Sequence, residues 1–147
     1  MYDTILIPYD GSDESRRGAE HGIELAASVG ASVHALYVVD LPGAPRALSI
    51  RDDEESMREE YHAYGEEVTG EICEAAADVG VDCEAVIRSG APSEEIVEYA
   101  EDEEIDLVVM GSAYQGTFPN LLGSTSERVV RSSTVPVLTT RMTVNDH

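Results

Sequence analysis

Lysine is absent from this 147-residue chain, and all nine of its basic residues are arginine, set against 30 aspartates and glutamates. The resulting formal net charge of −21 argues against nucleic acid and anionic membranes as partners, since both require basic surface. Cysteine is nearly absent. Cys73 and Cys83 form no CxxC pair and fall in a predicted helix and a predicted strand, so two buried free thiols are expected. His21, His34, His62 and His147 are scattered, without zinc-site spacing, so no structural metal site is expected. No apolar run approaches the roughly 18 residues of a membrane span. The start, MYDTILIPYD, lacks a basic n-region and passes straight into a strand pattern, so no signal peptide is expected. A soluble cytoplasmic protein is the expectation.

Acidity on this scale makes a surface repel itself at ordinary ionic strength. At molar salt the Debye length falls to about 3 Å and the repulsion is screened. The simplest account is adaptation to a salt-rich cytoplasm, as in halophilic archaea. The acids are not spread evenly. The stretch from Gly111 to Ser126 holds none, where a chance share is about three.

What is present is a regular alternation. Apolar, β-branched runs at Thr4–Pro8, Ser32–Val39, Val81–Arg88, Asp106–Met110 and Val135–Thr139 read as strands. Amphipathic patterns lie between them. Ala19, Ile23, Ala26 and Ala27 share a face over about Asp13–Val29. Met57, Tyr61, Tyr64, Val68, Ile72, Ala75 and Val79 recur at steps of three and four over about Asp52–Val79. Pro92 fits the first turn of a third helix reaching about Glu101, and a fourth runs from about Gly123 to Arg131. Gly30 and Gly80 stand where helix ends need positive φ. Short links between alternating strands and helices imply one α/β domain over residues 1–147, with a parallel sheet covered on both faces and right-handed crossovers. The connection Leu41–Arg51, with Pro42, Gly43 and Pro45, is expected to be mobile, and the tail after Met142 to fray.

Ligands of such sheets bind beyond the carboxyl ends of the strands. Two loops stand out there: Pro8-Tyr9-Asp10-Gly11-Ser12 after the first strand, and Gly111–Ser126 after the fourth. The second reads as an apolar strand stopping at Gly111, a glycine-bearing loop, and a helix opening at Gly123-Ser124-Thr125. That is a phosphate cradle, with backbone N–H groups and the helix dipole favouring an anion. Common alternatives fail. Gly111 and Gly116 have the glycine spacing of a P-loop, but Thr117-Phe118 replaces its Lys-Ser/Thr, and no GxGxxG follows a strand. No Ser-His-Asp or Cys-His arrangement with a nucleophile elbow is present. A response-regulator receiver, as a family, needs a lysine near its acidic pocket.

At these residues the chain resembles the universal stress protein family. ILIPYDGSDES (residues 5–15) is similar to the family's first strand and turn, and HALYVVD (34–40) to its second strand. SGAPSEEIVEYAEDEEIDLVVMGS (89–112) is similar to its third helix and fourth strand, and LLGSTSERVVRSSTVPVLTTR (121–141) to its last helix and strand. The resemblance implies a Rossmann-like doubly wound sheet of order 3-2-1-4-5 and ATP as ligand, with Mg²⁺ or Mn²⁺. Adenosine contacts carry over to Pro8, Tyr9, Asp10, Val38, Met110 and Gly111, and phosphate contacts to Gly123, Ser124 and Thr125. Ordering of the Gly111–Ser126 loop around the ligand, with the Leu41–Arg51 loop as a second candidate, would be the signalling step, and any hydrolysis would be slow because no dedicated general base stands out. The family's glycine pattern is altered, however. From Gly111 to Gly123-Ser124 the spacing is one residue short. Tyr114 stands near the missing second glycine, either obstructing the ligand or stacking on it, while Gly116 keeps an additional glycine's spacing. The resemblance also implies a homodimer that pairs the last strand around Val135, Pro136, Val137, Leu138 and Thr139 with its two-fold mate. A member binding no ATP and acting as a protein-interaction module is the alternative.

Each site residue has a plainer reading. Asp10 and Ser12 fit capping of the first helix, and Ser124 or Thr125 capping of the fourth. The acid-free stretch fits packing against a partner subunit. Arg128 and Arg131 fit surface pairing with acids, and the carboxylates of Asp52–Glu60 a solvated helix face.

Overall fold

The computed structural model describes residues 2–40, 51–112 and 124–141. The connection expected to be mobile, the tail after Met142, and Tyr114, Gly116 and Gly123 lie outside the described residues. The elements run β1 (Thr4–Pro8), α1 (Asp13–Val29), β2 (Ser32–Val39), α2 (Arg51–Asp78), β3 (Cys83–Ser89), α3 (Pro92–Asp102), β4 (Leu107–Ser112), α4 (Ser124–Ser132) and β5 (Val137–Arg141). The strands form one parallel sheet of order β3-β2-β1-β4-β5. This is the α/β, Rossmann-like arrangement expected, and it sets the ends of β1 and β4 side by side.

Strand alternation splits the core in two. Ile5, Ile7, Val33, Ala35, Leu107 and Val109 pack beneath α1 and α2, while Leu6, Leu36, Val108 and Met110 pack beneath α3 and α4. Burying both faces of the central strands is what their continuous apolar runs require. Gly30 and Gly80 take φ of 74° and 76°, closing α1 and α2 as expected.

Boundaries shift where local hydrogen bonds compete with the ladder. β3 begins at Cys83 rather than Val81, because the Val81 N–H bonds back to the Ala76 carbonyl at the end of α2 (2.9 Å). β5 begins at Val137 rather than Val135. The Ser133 hydroxyl donates to the Val135 carbonyl (2.8 Å) and accepts from its N–H (3.1 Å), which holds Val135 in a turn. β4 does not stop at Gly111. It continues through Ser112 because Gly111 and Ser112 pair with Thr140 and Arg141.

The packed face of α2 also differs from the predicted one. Gly65, Val68, Thr69, Ile72 and Ala76 are buried, whereas Met57, Tyr61, Tyr64, Ala75 and Val79 are exposed. A helix of 28 residues is about 42 Å long, and an eight-residue strand about 27 Å. The N-terminal half of α2 therefore stands past the sheet. On α1, Ala27 is likewise exposed.

Cys73 and Cys83 are joined by a disulfide, so the expectation of free thiols is wrong. The turn between α2 and β3 brings their Cα atoms to 5.1 Å, within the span a disulfide bridges. Spacing along the chain gives no hint of that meeting.

Candidate functional site

A crevice of about 330 Å³ opens at the carboxyl ends of β1, β2 and β4. Pro8, Leu36, Val38, Met110, Pro92 and Ile96 give it apolar walls, and Asp10, Glu14, Ser15, Ser124, Thr125 and Ser126 a polar rim. A few convergent polar groups over an apolar floor is the usual make-up of a small-molecule site. Of the residues expected there, Pro8, Tyr9, Asp10, Val38, Met110, Gly111, Ser124 and Thr125 all line this one crevice.

The β1 side is a network of hydrogen bonds. Ser12 caps α1, accepting from the Ser15 N–H at 3.3 Å, so its capping role is real. Asp10 acts one step back. Its Oδ1 accepts from the Ser12 N–H (2.9 Å), the Ser12 hydroxyl (2.6 Å) and the Ser15 hydroxyl (2.7 Å). Burial works against the Asp10 charge, but the hydrogen bonds from Ser12 and Ser15 outweigh it and hold the carboxyl below its ordinary value of 3.8. The residue therefore stays ionised beside the crevice. Tyr9 turns its ring into the core and is 4% exposed, so the crevice meets mainly its backbone. The Tyr9 N–H bonds to the Leu36 carbonyl at 2.8 Å.

The β4 side is built on close approach. A Cβ added to Gly111 would overlap the Glu14 carbonyl, and one on Gly18 would fall 2.5 Å from the Gly111 nitrogen. Helix α1 therefore lies directly on the backbone of β4, and Gly111 is required for that contact irrespective of any ligand. The Ser126 hydroxyl donates to the Gly111 carbonyl at 3.1 Å and ties α4 to the strand end. Ser124 and Thr125 form the first turn of α4. Arg131 pairs with Glu127 at 2.6 Å on the exposed face of α4, as the surface reading expects. Arg128 is exposed and outside the lining.

Helix α3 contributes Pro92 and Ile96 to the crevice, and its Tyr99, outside the lining, anchors it to the sheet. Tyr99 donates its hydroxyl to, or accepts from, His34 Nδ1 at 2.6 Å, and Arg88 lies 4.9 Å over its ring. Burial, with the Glu84 and Glu103 charges, pushes the Tyr99 phenol up to about 12.

Sequence reasoning missed Glu14, Ser15, Leu36, Pro92, Ile96 and Ser126. Ser15 stands three residues after the cap Ser12, and Pro92 just beyond the end of β3; those positions were the available signals. Glu14 also changes the electrostatic picture. Gly111, Ser124, Thr125 and Ser126, the lining residues from the acid-free stretch, share the crevice with two carboxylates, Asp10 and Glu14. Among the described residues no group of three His, Cys, Asp or Glu is placed to hold a metal ion, and no helix is long and apolar enough to cross a membrane.

Comparison with known proteins agrees with this layout. The family model described as the universal stress protein family matches residues 1–141. A universal stress protein of Methanocaldococcus jannaschii is 39% identical over 142 residues, covering 94% of this chain and 81% of that one. The structure of the universal stress protein UspA from Lactobacillus plantarum superposes with a TM-score of 0.82 at 26% identity, over 95% of this chain and 98% of that one. A universal stress protein crystallised in complex with cAMP superposes with a TM-score of 0.69 at 26% identity, over 95% and 97% of the two chains. On the match over residues 1–141 and the shared sheet order, the chain belongs to the universal stress protein family.

Proposed function

We propose that the crevice binds an adenine nucleotide, with ATP accompanied by Mg²⁺ or Mn²⁺ as the leading ligand, and that the bound nucleotide serves as a stress signal rather than a substrate for fast turnover. One observation supports this reading: Pro8, Tyr9, Asp10, Val38, Met110, Gly111, Ser124 and Thr125, which the family resemblance singles out and which are far apart in sequence, line a single crevice. The residues present fit such a ligand. Val38, Ile96 and Met110 offer apolar surface to a base. The ionised Asp10 is an acceptor for ribose hydroxyls. Ser124 and Thr125 bring hydroxyls and a helix N-terminus to phosphate. The divalent ion would offset phosphate charge beside Asp10 and Glu14. The relative solved with cAMP supports a nucleotide as the ligand class.

The reading extends to a homodimer. β5 is the sheet edge next to β4, its residues Val137–Thr140 are only partly buried, and Pro136 precedes it. Pairing around Val135–Arg141 with a second copy would cover that edge. The charge of −21 supports a salt-rich cytoplasm as the setting.

The test is ligand extraction and thermal shift on protein purified in molar KCl, with ATP and Mg²⁺, AMP and cAMP in parallel. A shift abolished by Gly123→Val and reduced by Asp10→Ala is the expected result. No shift at millimolar nucleotide refutes the reading and favours the interaction module, which the one-residue-short glycine spacing also suits. Multi-turnover phosphate release lost in Asp10→Ala would instead make the protein a slow hydrolase. Sedimentation of Leu138→Asp at half the wild-type mass is the expected dimer result.

A further inference from the structure

The disulfide lies at the end of the sheet away from the crevice. Cys73 sits in the C-terminal half of α2 and Cys83 opens the edge strand β3. Both are partly exposed, whereas Ile72, Ala76 and Val81 beside them are buried. These buried side chains already hold α2 to the sheet, and the seven-residue register from Val33↔Cys83 to Val39↔Ser89 already holds β3 to β2. The bond closes a short stretch of chain, with a sequence separation of 10, so it constrains the unfolded chain less than a long-range bridge would. The contacts that hold α2 and β3 are therefore made by residues other than the two cysteines, which are themselves partly exposed.

We infer that Cys73–Cys83 is a reversible thiol–disulfide site that exchanges with small disulfides, those without net negative charge being favoured wherever salt does not screen the protein. In the oxidising direction one cysteine thiolate attacks a small disulfide RSSR, forming a mixed disulfide and releasing RS⁻. The second cysteine thiolate then displaces the other RS⁻ and closes the Cys73–Cys83 bond. The protein loses two electrons and two protons, and RSSR gains them as two RSH; an excess of small thiol runs the exchange backwards. The charge preference comes from the neighbours in sequence. Glu74, Asp82 and Glu84 flank the two cysteines and are exposed, so an anionic disulfide approaches against repulsion. Reduction releases α2 from the first residue of β3 without touching the crevice lining.

The test uses the full chain and counts thiols by maleimide mass shift. Protein in its oxidised form takes no label, and dithiothreitol without denaturant exposes two thiols. Circular dichroism stays native while Tm falls by about 5–10 °C. Cys73→Ser and Cys83→Ser, made separately in case one folds poorly, show no such reductant-dependent fall. In the lowest KCl that keeps native circular dichroism, cystamine re-forms the bond about tenfold faster than oxidised glutathione, and the gap closes in molar KCl. A bond reduced only after unfolding in urea overturns the inference, because it is then a structural staple. So does a pair that stays reduced, or stops at mixed disulfides, in excess cystamine. Equal rates for the two reagents overturn the charge preference.

Discussion

The two walls of the crevice are made differently. The wall after β1 is a set of side-chain hydrogen bonds centred on one carboxylate, with Asp10, Ser12 and Ser15 each holding the next. In the wall after β4, among the described residues, the close packing is of backbone: Gly111 and Gly18 let two backbones touch, and the Ser126 hydroxyl adds one bond. The first wall carries Asp10 and Glu14, while the second comes from a stretch without an acid. On the proposed reading, the hydroxyl-bearing part of a nucleotide would face the first wall and its anionic part the second.

The largest effect is expected from the backbone contact. Gly111→Ala places a methyl group on the Glu14 carbonyl and is expected to cost about 3 kcal/mol, read from chemical denaturation. If stability changes by less than about 1 kcal/mol, the two backbones separate easily and the contrast between the walls fails.

Ser15→Ala comes next, at about 1–2 kcal/mol, because the Ser15 hydroxyl donates to Asp10 and its loss leaves that carboxylate short of a donor. This wall also has a pH signature. The Asp10 carboxyl is depressed in the folded protein, so its contribution is complete above the ordinary value of 3.8 and is lost as pH falls through the lower folded value. Asp10→Asn is expected to flatten that acid limb, and a limb of unchanged slope would show that the hydrogen bonds do not favour the charged form.

Tyr99→Phe tests how α3, which carries Pro92 and Ile96 of the crevice, is held to β2. It removes the bond to His34 and is expected to cost about 1 kcal/mol at neutral pH. The raised phenol gives a basic limb with the opposite sense: its contribution is complete below the ordinary value of 10.0 and is lost as pH rises toward about 12. The variant lacks that loss in pH-dependent unfolding. The smallest effect is expected for Tyr64→Phe, a few tenths of a kcal/mol, since its hydroxyl reaches the Asp10 carbonyl only at 3.4 Å and from an exposed position.

Much of this was legible in the residues. Alternating runs and glycine stops located every described element within a few positions, because the central strands β1, β2 and β4 are buried on both faces and largely apolar. The strand order followed from the family resemblance, not from periodicity. Three things were hidden. Helical spacing showed that α2 has an apolar stripe, but not that Met57 and Tyr61 on it stay exposed. Gly111 read as a strand stop because its role depends on α1, which is distant in sequence. The meeting of Cys73 with Cys83 depends on the pitch of a turn. Ser15 and Ser126 join the crevice through bonds to Asp10 and Gly111, and nothing in their own composition marks them out.

The overhang of α2 divides one continuous helix into two lifetimes. From Glu55 to Ala63 every residue is exposed, whereas Tyr64 packs on Tyr37 and from Gly65 onward one face of the helix is buried against the sheet. Amide exchange along it should fall from near-random-coil rates to the global unfolding rate within about two turns. A protease nick or an inserted tag at the exposed half would leave the sheet intact, which makes this half the natural handle for attaching the protein to a surface or a reporter.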